Sequence, residues 1–129
     1  MAEDLVKTTY DDAIVIDGLN VSRWESPAVY QSLHNGGVTA INATTVVWEN
    51  YREAMDNTKA WLRRFRTYED VIVQARSVKD ILQAKKVGKV GVVLGWQNAS
   101  PIENDLDRLA LFYELGVRII QATMRLTNT

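Results

Sequence analysis

The side chains able to do chemistry in this sequence are few, and they gather where short apolar runs stop. Ile14-Val15-Ile16 gives way to Asp17-Gly18-Leu19-Asn20, and Val92-Val93-Leu94-Gly95-Trp96 gives way to Gln97-Asn98. A β-branched run without polar alternation reads as a strand covered on both faces, the habit of parallel sheets. Parallel α/β folds place their ligand sites at the carboxyl ends of such strands. Asp17, Asn20, Gln97 and Asn98 are therefore the candidate substrate-binding residues, a set of hydrogen-bonding groups suited to a small polar ligand. Asp17 is the one carboxylate at the end of a predicted strand. Its ordinary alternative use is to accept N–H bonds from its own turn.

Other chemistries lack their parts. His34 is the single imidazole, placed at a helix end before Gly36-Gly37, where it caps or faces solvent and has no metal cluster or nucleophile beside it. Ser22 and Ser100 fall in strand-end loops, on the opposite side of the sheet from His34, so no triad assembles. Neither GxGxxG nor GxxxxGK[ST] occurs, which removes the phosphate-cradling loops. A receiver-type acceptor aspartate is missing after the third strand, where Gln74-Ala75-Arg76 stands, and its lysine is missing after the fifth, where Thr123-Met124-Arg125 stands.

The positioning elements follow from the pattern. Strands are predicted at 14–16, 38–43, 70–75, 90–98 and 117–123. Ser26-Pro27 starts a helix over 27–35, with proline at its first position. An amphipathic helix covers 49–66. Ser77 caps a third helix that turns Val78, Ile81, Leu82 and Ala84 inward and ends at Lys85-Lys86 and Gly88. A fourth helix spans 103–115, with Glu103, Asp105 and Asp107 in its first turn. Trp48, Trp61 and Trp96 serve core packing and rim contacts. Five strands alternating with four helices require parallel pairing through right-handed crossovers. Two architectures satisfy this: a small doubly wound three-layer sheet, favoured by length alone, and about half of a TIM-type (βα)8 barrel.

Composition bounds the rest. The chain has 129 residues, 47% of them hydrophobic, enough for one domain, with residues 1–12 a flexible N-terminal extension. Lys+Arg 15 against Asp+Glu 16 leaves a formal net charge of -1, so neither nucleic acid nor an anionic membrane is expected as a partner. No apolar run approaches the roughly 20 residues of a membrane span. The absence of cysteine removes disulfides and thiolate ligands and suits a cytoplasmic setting.

Three stretches taken together, Ile16-Asp17-Gly18-Leu19-Asn20-Val21-Ser22-Arg23-Trp24, Leu94-Gly95-Trp96-Gln97-Asn98 and Leu115-Gly116-Val117-Arg118-Ile119-Ile120-Gln121, resemble the membrane (renal) dipeptidase family over nearly the whole chain. The resemblance implies an amidohydrolase-like (βα) barrel, two zinc ions and hydrolysis of dipeptides, and it overrules the length argument for a three-layer sheet. It also makes the chain the N-terminal part of such a barrel. The family's first strand ends Asp-Gly-His-x-Asp, with zinc ligands at the His and the last Asp. Here Leu19 and Val21 stand at those places, and neither has a lone pair to donate. The bridging glutamate of the family falls on Gln97, whose neutral amide carries no negative charge. A zinc-proximal histidine falls on Met124.

Two functional readings follow. One is a dipeptidase-family peptidase or amide hydrolase by descent, inactive as an isolated N-terminal fragment. The other is a metal-free module binding a dipeptide or related amide at Asp17, Asn20, Gln97 and Asn98. For this chain no cofactor is expected, although zinc serves the family it resembles. A half barrel also leaves sheet edges open, so a homo-oligomer or self-association is expected.

Overall fold

The computed structural model describes residues 1–122. Helices and strands alternate as α1 (Ala2–Asp12), β1 (Ile16–Asn20), α2 (Pro27–Asn35), β2 (Ala40–Val46), α3 (Tyr51–Thr67), β3 (Ile72–Gln74), α4 (Val78–Val87), β4 (Val90–Trp96), α5 (Asp107–Leu115) and β5 (Val117–Ile120). Every strand pairing is parallel, within one sheet. The result is part of an α/β barrel whose sheet does not close on itself.

Local signals set several boundaries. Pro27 opens α2. Asn50 caps α3 in a reciprocal box, accepting from the Glu53 amide while the Glu53 side chain accepts from the Asn50 amide. The Ser77 side chain accepts from the Asp80 amide, and Gly88, at φ 71°, ends α4 in the left-handed conformation.

Strand order departs from a simple succession of βα units. An uninterrupted barrel would place β3 between β2 and β4, yet β2 pairs directly with β4 from Ala40↔Gly91 to Val46↔Trp96. The far edge of β4 is shared: β3, three residues long, takes Val90 to Val92, and β5 takes Leu94 to Trp96.

The two faces of the sheet differ. Ile41 and Ala43 of β2 with Val90, Val92, Leu94 and Trp96 of β4 join Tyr30, Ala54, Trp61 and Phe112 in the main core, which packs α2, α3 and α5 on one side. Its aromatic rings interlock. Trp24 meets Trp61 edge-on at 4.9 Å and Tyr30 stacks on Tyr68 at 4.3 Å, contacts worth about 0.5–1.5 kcal/mol each beyond their buried area. Gly91 points the other way, because successive residues of a strand alternate faces. A β-carbon there would lie 3.4 to 3.6 Å from those of Ala75, Ala40 and Ala84. Small residues thus let α4 close over the amino-terminal end of the face opposite α3.

Several expectations change for stated reasons. Ile14 and Ile16 are exposed, because β1 is an edge strand with only β2 beside it, so the predicted two-sided cover is absent. Val78 and Leu82 are exposed, contrary to an inward stripe, since α4 reaches the sheet through buried Ala84 with Ile81 half-buried. Of the acidic trio only Asp107 lies in the first turn of α5. A 3-10 turn at Ser100–Ile102 and Glu103, at a positive φ of 50°, intervene, and they delay the helix. Helix α1 is a fifth helix beyond the four expected, joined to the rest by a Tyr10 hydroxyl donating to the Gly36 carbonyl and by Lys85 donating to the Asp11 carbonyl. His34 lies exposed in the last turn of α2, as expected. Trp61 and Trp96 are core residues, and Trp48 is exposed on the rim.

Candidate ligand site at the strand ends

A chain of side-chain hydrogen bonds runs from Asp17, the second residue of β1, to Ser22 just past its end. Asp17 accepts from the Leu19 amide at 3.1 Å and from Asn20 Nδ2 at 2.8 Å, and Asn20 Oδ1 accepts from the Ser22 hydroxyl at 2.6 Å. The register of β1 against β2 shifts between Asp17 and Asn20, and the Asp17 side chain holds that irregularity by capturing a nearby backbone N–H. Asp17 thereby has the bracing use that the sequence offered for it, with its carboxylate bonded to Leu19 and Asn20.

At the end of β4 the Gln97 amide nitrogen of the main chain donates to the Val46 carbonyl, and its side chain donates to Thr44 Oγ1 at 3.1 Å. Asn98 is buried, with its Oδ1 accepting from the Ser100 amide at 3.0 Å, where it holds the turn into the 3-10 segment. Asn20 closes β1 and Gln97 and Asn98 follow β4, but Asp17 is the second residue of β1, paired with Ile41 near the start of β2. The expectation that the strand stops at Ile16 and leaves Asp17 at its carboxyl end is therefore not met: pairing with β2 carries the strand on to Asn20. β1 and β4 are separated by β2, two strand spacings or about 10 Å.

The residue that ties these ends together was not singled out from sequence. Asn42, in the middle of β2, is buried and donates Nδ2 to the Gly18 carbonyl at 2.9 Å, so it clamps β1. Among the described residues its Oδ1 has no hydrogen-bond partner, and it lies against Gly95 of β4, where a β-carbon would come within 1.9 Å of it. Asparagine in a strand is uncommon, and that rarity, together with glycine on the neighbouring strand, is the signal that would have found it. Thr44, one step along the same face, receives the Gln97 side chain.

Fold and site together define a partial parallel α/β barrel whose strand-end groups are carboxamides and hydroxyls around one carboxylate. The chain belongs to the membrane dipeptidase family, peptidase family M19, whose model matches residues 11–129. An amidohydrolase from Pseudomonas aeruginosa superposes with a TM-score of 0.89 at 35% sequence identity, over 93% of this chain and 38% of its own. A probable dipeptidase of the same organism, PvdM, superposes at 0.81 and 14% identity, over 94% of this chain and 37% of its own. A metallopeptidase from Rhodobacter sphaeroides, liganded with a phosphinate mimic of the dipeptide L-Ala-D-Ala, superposes at 0.69 and 17% identity, over 83% and 44%. This chain therefore spans well under half the length of the structures it matches. Among the curated proteins, none matches it.

The zinc pair that the resemblance implies can be tested against the residues present. Leu19 and Val21, exposed beyond Asp17, offer no donor atom. Gln97 presents an amide hydrogen to Thr44 rather than a carboxylate. Among the described residues no group of three His, Cys, Asp or Glu side chains converges. The donor set of the described residues does not fit two zinc ions. Met124 lies outside the described residues. No helix among them is long and apolar enough to cross a membrane.

Proposed function

We propose that this chain is the N-terminal part of a dipeptidase-family barrel that binds an amide-bearing, dipeptide-like ligand at its strand ends and does not hydrolyse it unaided. The observation that carries this is the substitution of donors at a retained site. Asp17 within β1 supplies an acceptor for a ligand N–H, while Gln97, just past β4, offers an amide where a metal-bridging carboxylate would be needed. Asn20 and Asn98 hold the two turns that present them. A superposition that covers 93% of this chain and 38% of its structural relative supports the reading as part of a larger barrel, and the resemblance of the β1 stretch to the family's first strand supports its N-terminal place.

The open edges of β1 and β5 support self-association in the same proposal. Ile16, Leu19 and Val21 at one edge and Ile119 and Ile120 at the other are exposed, and unpaired strands bearing apolar side chains recruit further strands. A cytoplasmic setting fits the absence of cysteine.

The test is direct. Purified chain is incubated with zinc, desalted, analysed for metal, and assayed for D-alanine released from L-Ala-D-Ala, with binding of the intact dipeptide followed by calorimetry. The expected outcome is dipeptide binding that Asp17→Asn weakens at least fivefold, with neither stoichiometric zinc nor turnover. Turnover with tightly held zinc would overturn the proposal.

A further inference from the structure

Beside the strand ends, on the side of β2 that α3 covers, lies a second polar cavity of about 200 Å³. None of Asp17, Asn20, Gln97 or Asn98 lines it, although Ser22 and Thr44, hydrogen-bond partners of Asn20 and Gln97, do. Its walls come from the loop after β1, the end of β2, the loop after β2, whose Glu49 carboxylate is engaged by the Val47 and Trp48 amides, and the α3 residues Asn57, Trp61 and Arg64. We propose that it is a binding site for the carboxylate of an amino-acid-sized ligand, with Arg64 as the recognising group.

Arg64 is held like a ligand-binding arginine. Its side chain is only 17% exposed, Nε donates to the Trp24 carbonyl at 3.2 Å, and the guanidinium carbon sits 5.2 Å from the centre of the Trp61 ring. The Trp24 carbonyl also accepts from the buried Tyr30 hydroxyl, which fixes the loop that carries it. The remaining edge of the guanidinium is weakly engaged. Nη2 donates at 3.2 Å to Glu25, whose side chain is 82% exposed, and Nη1 has no acceptor among the described residues.

A solvent-facing ion pair of this kind contributes little, so Glu25 is a displaceable partner. A ligand carboxylate can take the same Nη2 hydrogen and add one from Nη1, because the planar fork of arginine matches a carboxylate at two points. Volume selects the size. Sites for drug-sized ligands occupy about 300–1,000 Å³, so a cavity of about 200 Å³ suits a molecule nearer a single amino acid. Asn57 is already turned to the Thr45 carbonyl through Nδ2, which leaves Arg64 as the cationic wall.

Trp24 and Trp61 both line the cavity, so tryptophan fluorescence of the full chain reports its occupancy. Titrations at constant ionic strength use L-alanine, L-alaninamide and sulfate as probes. L-alanine is expected to give a saturable change, L-alaninamide none, and sulfate a response at least tenfold weaker. Arg64→Gln should weaken L-alanine binding tenfold or more, and Glu25→Gln should strengthen it severalfold by removing the internal competitor.

If Arg64 only braced the loop, Glu25→Gln would leave binding unchanged or reduced. That result overturns the proposal, and it remains decisive if Arg64→Gln fails to fold, since Glu25 is exposed. An equal response to L-alaninamide or to sulfate overturns it too, as does no saturable signal with L-alanine.

Discussion

Replacing Gly95 with alanine tests the clamp across the sheet. The added β-carbon would lie 1.9 Å from Asn42 Oδ1 and 2.9 Å from its Cγ, distances that no adjustment of a few tenths of an ångström relieves. Asn42 is 8% exposed, so its amide has to swing away inside a packed layer and release the Gly18 carbonyl. Losing that hydrogen bond costs about 1 kcal/mol, and leaving a buried amide badly paired costs about 1–3 kcal/mol more. The stiffer unfolded chain returns about 0.4–1 kcal/mol. A net loss of about 2 kcal/mol follows. With a urea slope of about 2 kcal/mol per molar, the unfolding midpoint drops by about 1 M, read by tryptophan fluorescence. The collision is specific, so a double-mutant cycle sharpens it: once Asn42→Ala has removed the obstructing amide, Gly95→Ala should cost less than about 0.5 kcal/mol. Additive effects in the double variant, or a Gly95→Ala variant as stable as the parent, would refute the clamp.

Two other expectations are simpler to check. Burial pushes the Tyr30 hydroxyl up from 10.0 to about 12, with its proton given to the Trp24 carbonyl. The unfolded chain therefore ionises first, so this contribution to stability is fully present below pH 10 and is lost as pH rises from 10 toward about 12. Tyr30→Phe should flatten that part of a stability–pH profile, and an unchanged slope would count against the assignment. At the start of α3, Asn50→Ala removes one side of a reciprocal cap and should destabilise the chain by about 1 kcal/mol, whereas Asn50→Ser should lose only a small part of that in the same urea titration.

What could be read from the sequence was what neighbours along the chain decide. Pro27 marked the start of α2, and Ser77 and Gly88 bracketed α4, because caps and left-handed turns are settled within one helical turn. The parallel α/β class followed from unbroken apolar strands. The choice of a partial barrel over a three-layer sheet came from the resemblance, and the superposed structures bear it out. Pairing across the sheet was beyond reach. Nothing near β3 says that it joins the far edge of β4, and its two neighbours in sequence gave no hint that β2 would bypass it.

The site divides the same way. Asp17 and Gln97 stand out as polar residues after apolar runs, and position places Gln97 just past β4, whereas Asp17 lies inside β1 because pairing with β2 continues beyond the apolar run. Asn42 looked like one polar residue within a strand, because its meaning lies in Gly18 and Gly95 on two other strands. Arg64 looked like one of several cations on an amphipathic helix, and the Trp24 carbonyl and Glu25, brought close by folding, distinguish it from Arg63 and Arg66.

The doubled edge of β4 has a consequence in time. Along its whole length it is bonded to β2 on one side and, in two instalments, to β3 and β5 on the other. Its backbone bonds cannot be released by fraying at any single margin, since each neighbour would have to leave first. Thermal motion can peel β1 or β5 outward while β4 stays put. The lifetime of β4 is therefore the lifetime of the fold itself, and the groups it carries at its end, Gln97 among them, sit on the steadiest strand of the sheet.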